Sequence, residues 1–284
     1  MERNVENFIG CESTYDEAKV VLFGAPFDGT VSYRPGTRFA PHAIRSESYG
    51  LETYSPYQDK DITEGAVFDS GDIELCFGNP QRVLDDIQER TGKILSDGKL
   101  PFMIGGEHLV TLGAFKAVAE KYPDVHIIHF DAHTDLREEY LGESLSHASV
   151  IRRCHDIVGD GRIYQFGIRS GEREEFYWAK EHTHLNKYNF DGLEDVVSKL
   201  KDKPVYFTLD LDVLDPSVFP GTGTPEAGGV TFEELRKAVT LVTTKCNVVA
   251  TDVNELSPTY DQSGVSTAVA GKIIREMLIA LTVK

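Results

Sequence analysis

The chain has 284 residues, 40% of them apolar and 26% charged, enough to bury one large α/β core. Acidic residues outnumber basic ones, 46 Asp+Glu against 29 Lys+Arg, for a formal net charge of −17. That balance argues against nucleic acid or an anionic membrane as partner and suits a small cation.

The first strand expected is "KVVLFG" (19–24). In "PQRVLDDIQERTGKIL" the apolar residues Val83, Leu84, Ile87, Ile94 and Leu95 fall on one helical stripe. Further strands are expected at "LPFMI" (100–104), "VHIIHF" (125–130) and "RIYQFG" (162–167). Asp191 is a candidate cap for a helix carrying Val196, Val197 and Leu200, and "PVYFTL" (204–209) is the next strand. Thr231 and Glu234 have capping-box spacing ahead of a face built from Phe232, Leu235, Val239 and Val242. "NVVATDV" (247–253) is the last strand. Strands this uniformly apolar are buried on both faces, which requires helices on each side of a mainly parallel sheet. With no repeat and no linker-like shift in composition, residues 1–284 read as a single three-layer α/β/α domain.

No run reaches the roughly 18 apolar residues of a membrane span, and "MERNVENFIGCESTYDE" lacks the apolar stretch of a secretion signal. Cys11, Cys76, Cys154 and Cys246 show neither a CxxC pair nor zinc-type spacing, as expected of reduced thiols in a cytoplasmic protein.

In open α/β sheets ligands bind beyond the carboxyl ends of the strands. Four of the expected strands end in groups that bind cations: "GGEH" offers Glu107 and His108, "DAHTD" offers Asp131, His133 and Asp135, "DLD" offers Asp210 and Asp212, and "NEL" offers Glu255. Asp131, His133 and Asp135 alternate with small residues, and alternation on an extended chain would point all three to one face. Any one of these segments could be a turn or a helix cap. Together they place like charges at an apolar boundary, which is costly unless a cation neutralises them. Four aspartates and two histidines without thiolate suit Mn2+ better than a structural zinc. Four carboxylates also exceed the needs of one ion and match two ions sharing bridging carboxylates.

The motifs "GGEH", "FDAHTDLR", "LSHASVIRR", "TLDLDVLDPSVFPGTGTPEAGG" and "DVNELSP", in this order and spacing, resemble the ureohydrolases, the arginase/agmatinase family, over essentially the whole chain. "GAPFDGTVSYRPGTRFAPHAIR" and "FGIRSGEREEFYWAK" are similar to agmatinases in particular. The resemblance implies one Mn2+ on His108, Asp131, Asp135 and Asp210, and a second on His133, Asp131, Asp210 and Asp212. It implies a proton-shuttling role for His147, although "SHAS" departs from the commoner "SHG". It implies that Glu255 pairs with the substrate guanidinium, and that Glu107 stands where relatives often carry Asp. The implied reaction is hydrolysis of agmatine to putrescine and urea, a step of polyamine biosynthesis, by attack of a metal-bridging hydroxide on the guanidinium carbon. Asp135 would hold that hydroxide in line. A homo-oligomer, trimer or hexamer, is implied as well.

Competing expectations are a guanidinobutyrase, an arginase or a formiminoglutamase, and, from another class, a catalytically inactive metal-binding scaffold. Glu138, Glu139 and Glu143 could line an acidic mouth suited to a cation, and Arg137 could receive a substrate carboxylate. His126 and His129 read as packed core histidines, His129 with an option on a role behind the ligands. His155, His182 and His184 read as surface, Trp178 as helix packing, "DSGDI" (69–73) as structural and "GTGTPEAGG" as a loop lining the site.

Overall fold

The computed structural model describes residues 6–76 and 78–283. In chain order the strands are β1 (Val20–Ala25), β2 (Tyr54–Ser55), β3 (Lys60–Asp61), β4 (Val67–Asp72), β5 (Leu100–Gly105), β6 (His126–Phe130), β7 (Ile163–Ile168), β8 (His184–Lys187), β9 (Pro204–Asp210) and β10 (Asn247–Asn254). The helices are α1 (Ala40–Ser48), α2 (Pro80–Ser96), α3 (Val110–Lys121), α4 (Val150–Val158), α5 (Arg173–His182), α6 (Leu193–Lys199), α7 (Phe232–Lys245) and α8 (Val265–Thr282). β2 and β3 pair as a small antiparallel ribbon; the other strands form one parallel sheet in the order β4–β1–β5–β10–β9–β6–β7–β8.

All six expected strands are present, and every residue of β1, β7 and β9 is buried. Alternate side chains enter opposite layers. Val21, Met103 and Ile127 pack under α2 to α5 with Val83, Ile87 and Phe115. Leu22, Phe102 and Ile128 pack under α1, α6, α7 and α8 with Ile44, Leu235 and Ile273. The α2 stripe is buried as its spacing predicts, and α7 starts in the expected box, the Thr231 amide donating to Glu234 Oε2 at 2.7 Å.

The sheet's two edges differ from expectation. β4 and β8 were not anticipated, because "VFDSGD" and "HLNK" carry too little apolar character to read as strands; short polar edge strands discourage further pairing. His184 opens β8 and stacks on Tyr164 with ring centroids 4.5 Å apart. Asp191 does not cap α6: Gly192, at φ 80°, occupies that position. "DSGDI" is structural as read. Arg45 of α1 donates from Nε to Asp69 Oδ2 at 2.8 Å and from Nη2 to Oδ1 at 3.0 Å, and it also pairs with Asp72. No helix among the described residues is long and apolar enough to cross a membrane, and the four cysteines are unpaired.

The consequence for the site is topological. β5, β10, β9 and β6 are consecutive neighbours at the centre of a parallel sheet. Their carboxyl ends therefore place "GGEH", "NEL", "DLD" and "DAHTD" side by side on one edge.

Candidate metal centre

β5 stops at Gly105, and the chain turns through Gly106 into α3. Gly106 is required there, since a Cβ would collide with the Phe27 backbone, whose carbonyl accepts the Glu107 amide at 2.7 Å. The turn buries His108 with Nδ1 facing three carboxylates: Asp135 Oδ2 at 2.9 Å, Asp131 Oδ2 at 3.1 Å and Asp210 Oδ2 at 3.5 Å. The other nitrogen, Nε2, lies 2.9 Å from Thr208 Oγ1. A proton donated there leaves the Nδ1 lone pair free for a cation.

"DAHTD" converges by a different route from the one its alternation suggested. β6 ends at Phe130, so Asp131, His133 and Asp135 occupy a loop rather than a strand. Asp135 has φ 52°, a left-handed conformation uncommon outside glycine though more accessible to aspartate than to most residues. Asp131 sits at the middle of the cluster. Its Oδ1 accepts the His133 amide at 2.6 Å and lies 3.5 Å from His133 Nδ1, while Oδ2 faces His108. Asp210 is the last residue of β9, and its Oδ1 accepts the Asp212 amide at 2.8 Å. Asp212 in turn accepts the Ala132 amide at 3.1 Å through Oδ1 and places Oδ2 3.0 Å from His133 Nδ1. All six expected ligands are thus gathered, His108 on one flank of Asp131 and His133 on the other.

The electrostatics are those of a cluster short of positive charge. Burial, then the charges of neighbouring carboxylates, push Asp210 and Glu255 well above the usual carboxylate range and Asp135 up to about 7. Burial opposes a charge on His108 and His133, but the adjoining aspartates outweigh it and hold both imidazoles well above their ordinary value. Protons collect where divalent ions would neutralise the same carboxylates. An oxygen- and imidazole-rich set without sulfur fits hard-to-borderline divalent metals.

Glu255 follows β10 with φ 66°, a second left-handed residue at the site. Its Oε1 accepts the His108 amide at 2.7 Å, and its Oε2 has no hydrogen-bond partner among the described residues. Glu107 points away from the ligands. It accepts the Thr30 amide at 2.8 Å and the Thr30 hydroxyl at 2.6 Å, and Thr30 Oγ1 accepts the His147 amide at 3.1 Å. Glu107 therefore anchors the loop that holds His147. The ring of His147 reaches the cleft with Nε2 3.2 Å from Ser32 Oγ. Burial, followed by the charges of His133 and His108, lowers its pKa to about 4. The ring is therefore neutral at pH 7 and must take up a proton before it can pass one on, as the expected shuttling role requires.

The cleft above the cluster has a volume of about 280 Å3 and is lined by His133, Asp135, Arg137, Tyr140, His147 and Thr224, among others. Thr224 brings the "GTGTPEAGG" loop to the site as expected. Glu138, Glu139 and Glu143 are exposed and line neighbouring recesses, so the acidic mouth expected from them is not formed. Arg137 is already engaged: Nη1 is 2.9 Å from Glu172 Oε1, Nε is 3.8 Å from Glu175 Oε2, and the guanidinium lies 4.4 Å from the Tyr140 ring centroid.

Supporting residues complete the cluster, and of these only His129 is singled out by the sequence. His129 donates from Nε2 to Asp131 Oδ2 at 2.7 Å, and its Nδ1 accepts from Gln165 Nε2 at 3.1 Å. Gln165 Nε2 also donates to the Thr134 carbonyl at 2.8 Å, an acceptor only, which fixes the amide and hence the tautomer of His129, and Gln165 Oε1 accepts the Thr183 hydroxyl at 3.1 Å. Arg169 donates to the backbone carbonyls of Asp212 and Glu226, both at 2.8 Å, tying the turn after β9 to the 220–229 loop. The fixed spacing of ligands gave no hint of either.

Comparison with known proteins agrees with this geometry. Residues 18–280 match the arginase family. An agmatinase of Bacillus anthracis is 53% identical over 276 residues, 96% of this chain and 95% of its own length. An agmatinase of Bacillus subtilis strain 168 is 51% identical over 275 residues, 96% and 95% of the two chains. The crystal structure of an agmatine ureohydrolase of Thermoplasma volcanium superposes with a TM-score of 0.86 at 33% identity, covering 98% of this chain and 95% of that one. With an eight-stranded parallel sheet between helical layers and the expected ligand residues at its central strand ends, the chain belongs to the arginase family.

Proposed function

We propose that this protein is an agmatinase, hydrolysing agmatine to putrescine and urea as a step of polyamine biosynthesis. The observation that carries the reading is the convergence of six aspartate and histidine side chains at the central strand ends of a chain 53% identical to an agmatinase. Two Mn2+ per subunit would be held by His108, Asp131, Asp135 and Asp210, and by His133, Asp131, Asp210 and Asp212. Bound there, they would ionise a water near neutral pH and stabilise the negative charge that develops during hydrolysis. The raised pKa values of Asp135 and Asp210 support this ligand set, since burial first and neighbouring carboxylates second disfavour charges that bound cations would neutralise.

The protein's own groups do the positioning. Glu255, held by the His108 amide, offers Oε2 to the planar guanidinium and sets its orientation. Asp135 accepts a hydrogen bond from the attacking water and keeps it in line. His147, neutral at rest, takes a proton from solvent water on its ring and passes it to the leaving amine. Its low pKa makes the protonated ring a strong donor.

The nearest alternatives, a guanidinobutyrase, an arginase or a formiminoglutamase, all act on substrates with a carboxylate tail. Among the described residues Arg137 is the one Lys or Arg lining the cleft, and its pairing with Glu172 and Glu175 offsets the charge that such a tail would need. That favours agmatine, whose tail is an amine. Urea release by the Mn2+-loaded protein should be compared across agmatine, guanidinobutyrate and arginine, with formamide release from formiminoglutamate. Equal or better kcat/KM on an acid tail would refute the substrate assignment. No hydrolysis by protein that holds both ions would favour an inactive scaffold. The same reading takes residues 1–284 as one domain, the protein as cytoplasmic and the assembly as a homo-oligomer, trimer or hexamer. A single cooperative melt and a sedimentation mass test the first and last of these.

A further inference from the structure

On the opposite edge of the sheet from the metal centre, α4 ends and the chain turns through Gly159, Asp160 and Gly161 into the start of β7, beside the C-terminus of α5. Three side chains meet there. His155 Nε2 lies 2.9 Å from Asp160 Oδ1, and His182 Nδ1 lies 2.7 Å from the same oxygen. The three potential ligand atoms fall within 4.8 Å of one another. The imidazoles are placed by packing as well as by the carboxylate. Trp178 stacks on His182 with centroids 4.3 Å apart at 23°, and meets His155 edge-on at 4.6 Å and 82°. The Arg152 guanidinium covers the tryptophan ring at 4.1 Å. The Gly161 amide donates to the His182 carbonyl at 3.1 Å, closing the turn onto the end of α5.

We propose that His155, Asp160 and His182 form a second divalent metal site, separate from the catalytic centre and suited to Zn2+, Cu2+ or Ni2+ rather than Mn2+ or Mg2+. Two imidazoles and one carboxylate are the donor set those ions prefer, with water completing the coordination. Donors about 2.0–2.1 Å from a tetrahedral ion are roughly 3.3–3.4 Å apart. The present spacings must therefore open by about half an ångström, and Asp160, with 65% of its side chain exposed, is free to make that move. The site also differs in kind from the catalytic centre, where each half presents a single imidazole. A bound ion would pin the end of α4 to the end of α5.

Trp178 is the only tryptophan in the chain, so its emission reports directly on the cluster. The Mn2+-loaded protein is titrated with CuCl2 and, separately, with MgCl2 while that emission is followed. Cu2+ should quench it saturably at one equivalent per chain, and Mg2+ should leave it unchanged. His155→Gln and His182→Gln should each weaken the Cu2+ midpoint at least ~10-fold, whereas His42→Gln, at an exposed histidine outside the cluster, should not. Electron paramagnetic resonance of the wild-type protein with one equivalent of Cu2+ should show two coordinated imidazole nitrogens. That measurement stands even if the variants fail to fold. Absence of saturable quenching, an unchanged midpoint in folded His155→Gln and His182→Gln, or a one-imidazole spectrum would each overturn the proposal.

Discussion

His129→Phe tests whether the ligand cluster depends on the buried residues behind it. The substitution keeps a ring beside His108, whose centroid is 5.1 Å away, and removes the Nε2 donor that lies 2.7 Å from Asp131 Oδ2. Both partners are fully buried, so no water replaces the lost donor. A hydrogen bond to a charged acceptor contributes about 1.5–3 kcal/mol. Asp131 faces both His108 and His133, so its misplacement is felt on both sides of the cluster. Converted to affinity, the loss is about 10–100-fold, the range for removing a residue that orients a metal ligand.

The assay is calorimetric titration of metal-free protein with MnCl2, paired with thermal melts to separate weak binding from poor folding. Activity should recover at high Mn2+, because no group that touches substrate has been altered. His126→Phe is the control. It lies three residues earlier in β6, half-buried, with Nδ1 unpartnered among the described residues, and its removal should leave Mn2+ affinity unchanged. If His129→Phe binds Mn2+ within about twofold of wild type, the donor to Asp131 has no part in building the site.

His147→Ala should retain both ions while kcat for agmatine falls ~10²–10⁴-fold, the usual span for a general acid–base group; metal loss in this variant would contradict the assigned role. Arg45→Met leaves Asp69 buried without its ion pair and should cost about 3–5 kcal/mol in urea denaturation, with unaltered chemistry per folded molecule. The pH dependence of the metal-free protein follows from raised pKa values. His108 and His133 are held above 6.5 in the fold, and Asp135 and Glu107 are at about 7, so at these four groups the folded state binds more protons than the unfolded one, outweighing His129 and His147, whose pKa values are lowered. Stability from these groups is therefore greatest at low pH and declines as pH rises through 7. Mn2+ should reverse the trend, because its binding displaces the same protons. Melts at pH 6 and 8, with and without metal, check both signs, and a metal-free Tm that rises across this window would exclude the cluster as its cause.

How much of this was legible in the sequence depends on how each residue acts. The six ligands were readable because metal binding needs particular atoms, and those atoms follow apolar runs that announce themselves as strands. Their adjacency was conditional on strand order, and the sheet satisfied the condition by placing β5, β10, β9 and β6 together. The local geometry was not readable. Alternation in "DAHTD" suggested an extended chain, whereas the three residues lie on a loop held by the His133 amide on Asp131 and the Ala132 amide on Asp212, with Asp135 in the left-handed conformation that aspartate tolerates better than most residues. Glu107, offered with His108 as a cation-binding group at a strand end, instead holds the Thr30 loop beneath His147.

The residues that escaped reading share one property: they act through contacts distant in sequence. Gln165 reaches His129 across 36 positions, and Arg169 reaches the Asp212 carbonyl across 43. Neither contact leaves a periodicity or a motif, since only the parallel pairing of β6 with β7 and β9 brings them together. The same dependence explains the substrate argument. In sequence, Arg137 is a lone cation two residues past a ligand and a natural receptor for a carboxylate. In the fold, the start of α5 brings Glu172 and Glu175 against it and removes that capacity. If selection of the substrate tail rests on how α5 docks against the metal loop, as we propose, Glu172→Gln, which loosens that neutralisation without touching a metal ligand, is the change that should shift preference toward guanidinobutyrate.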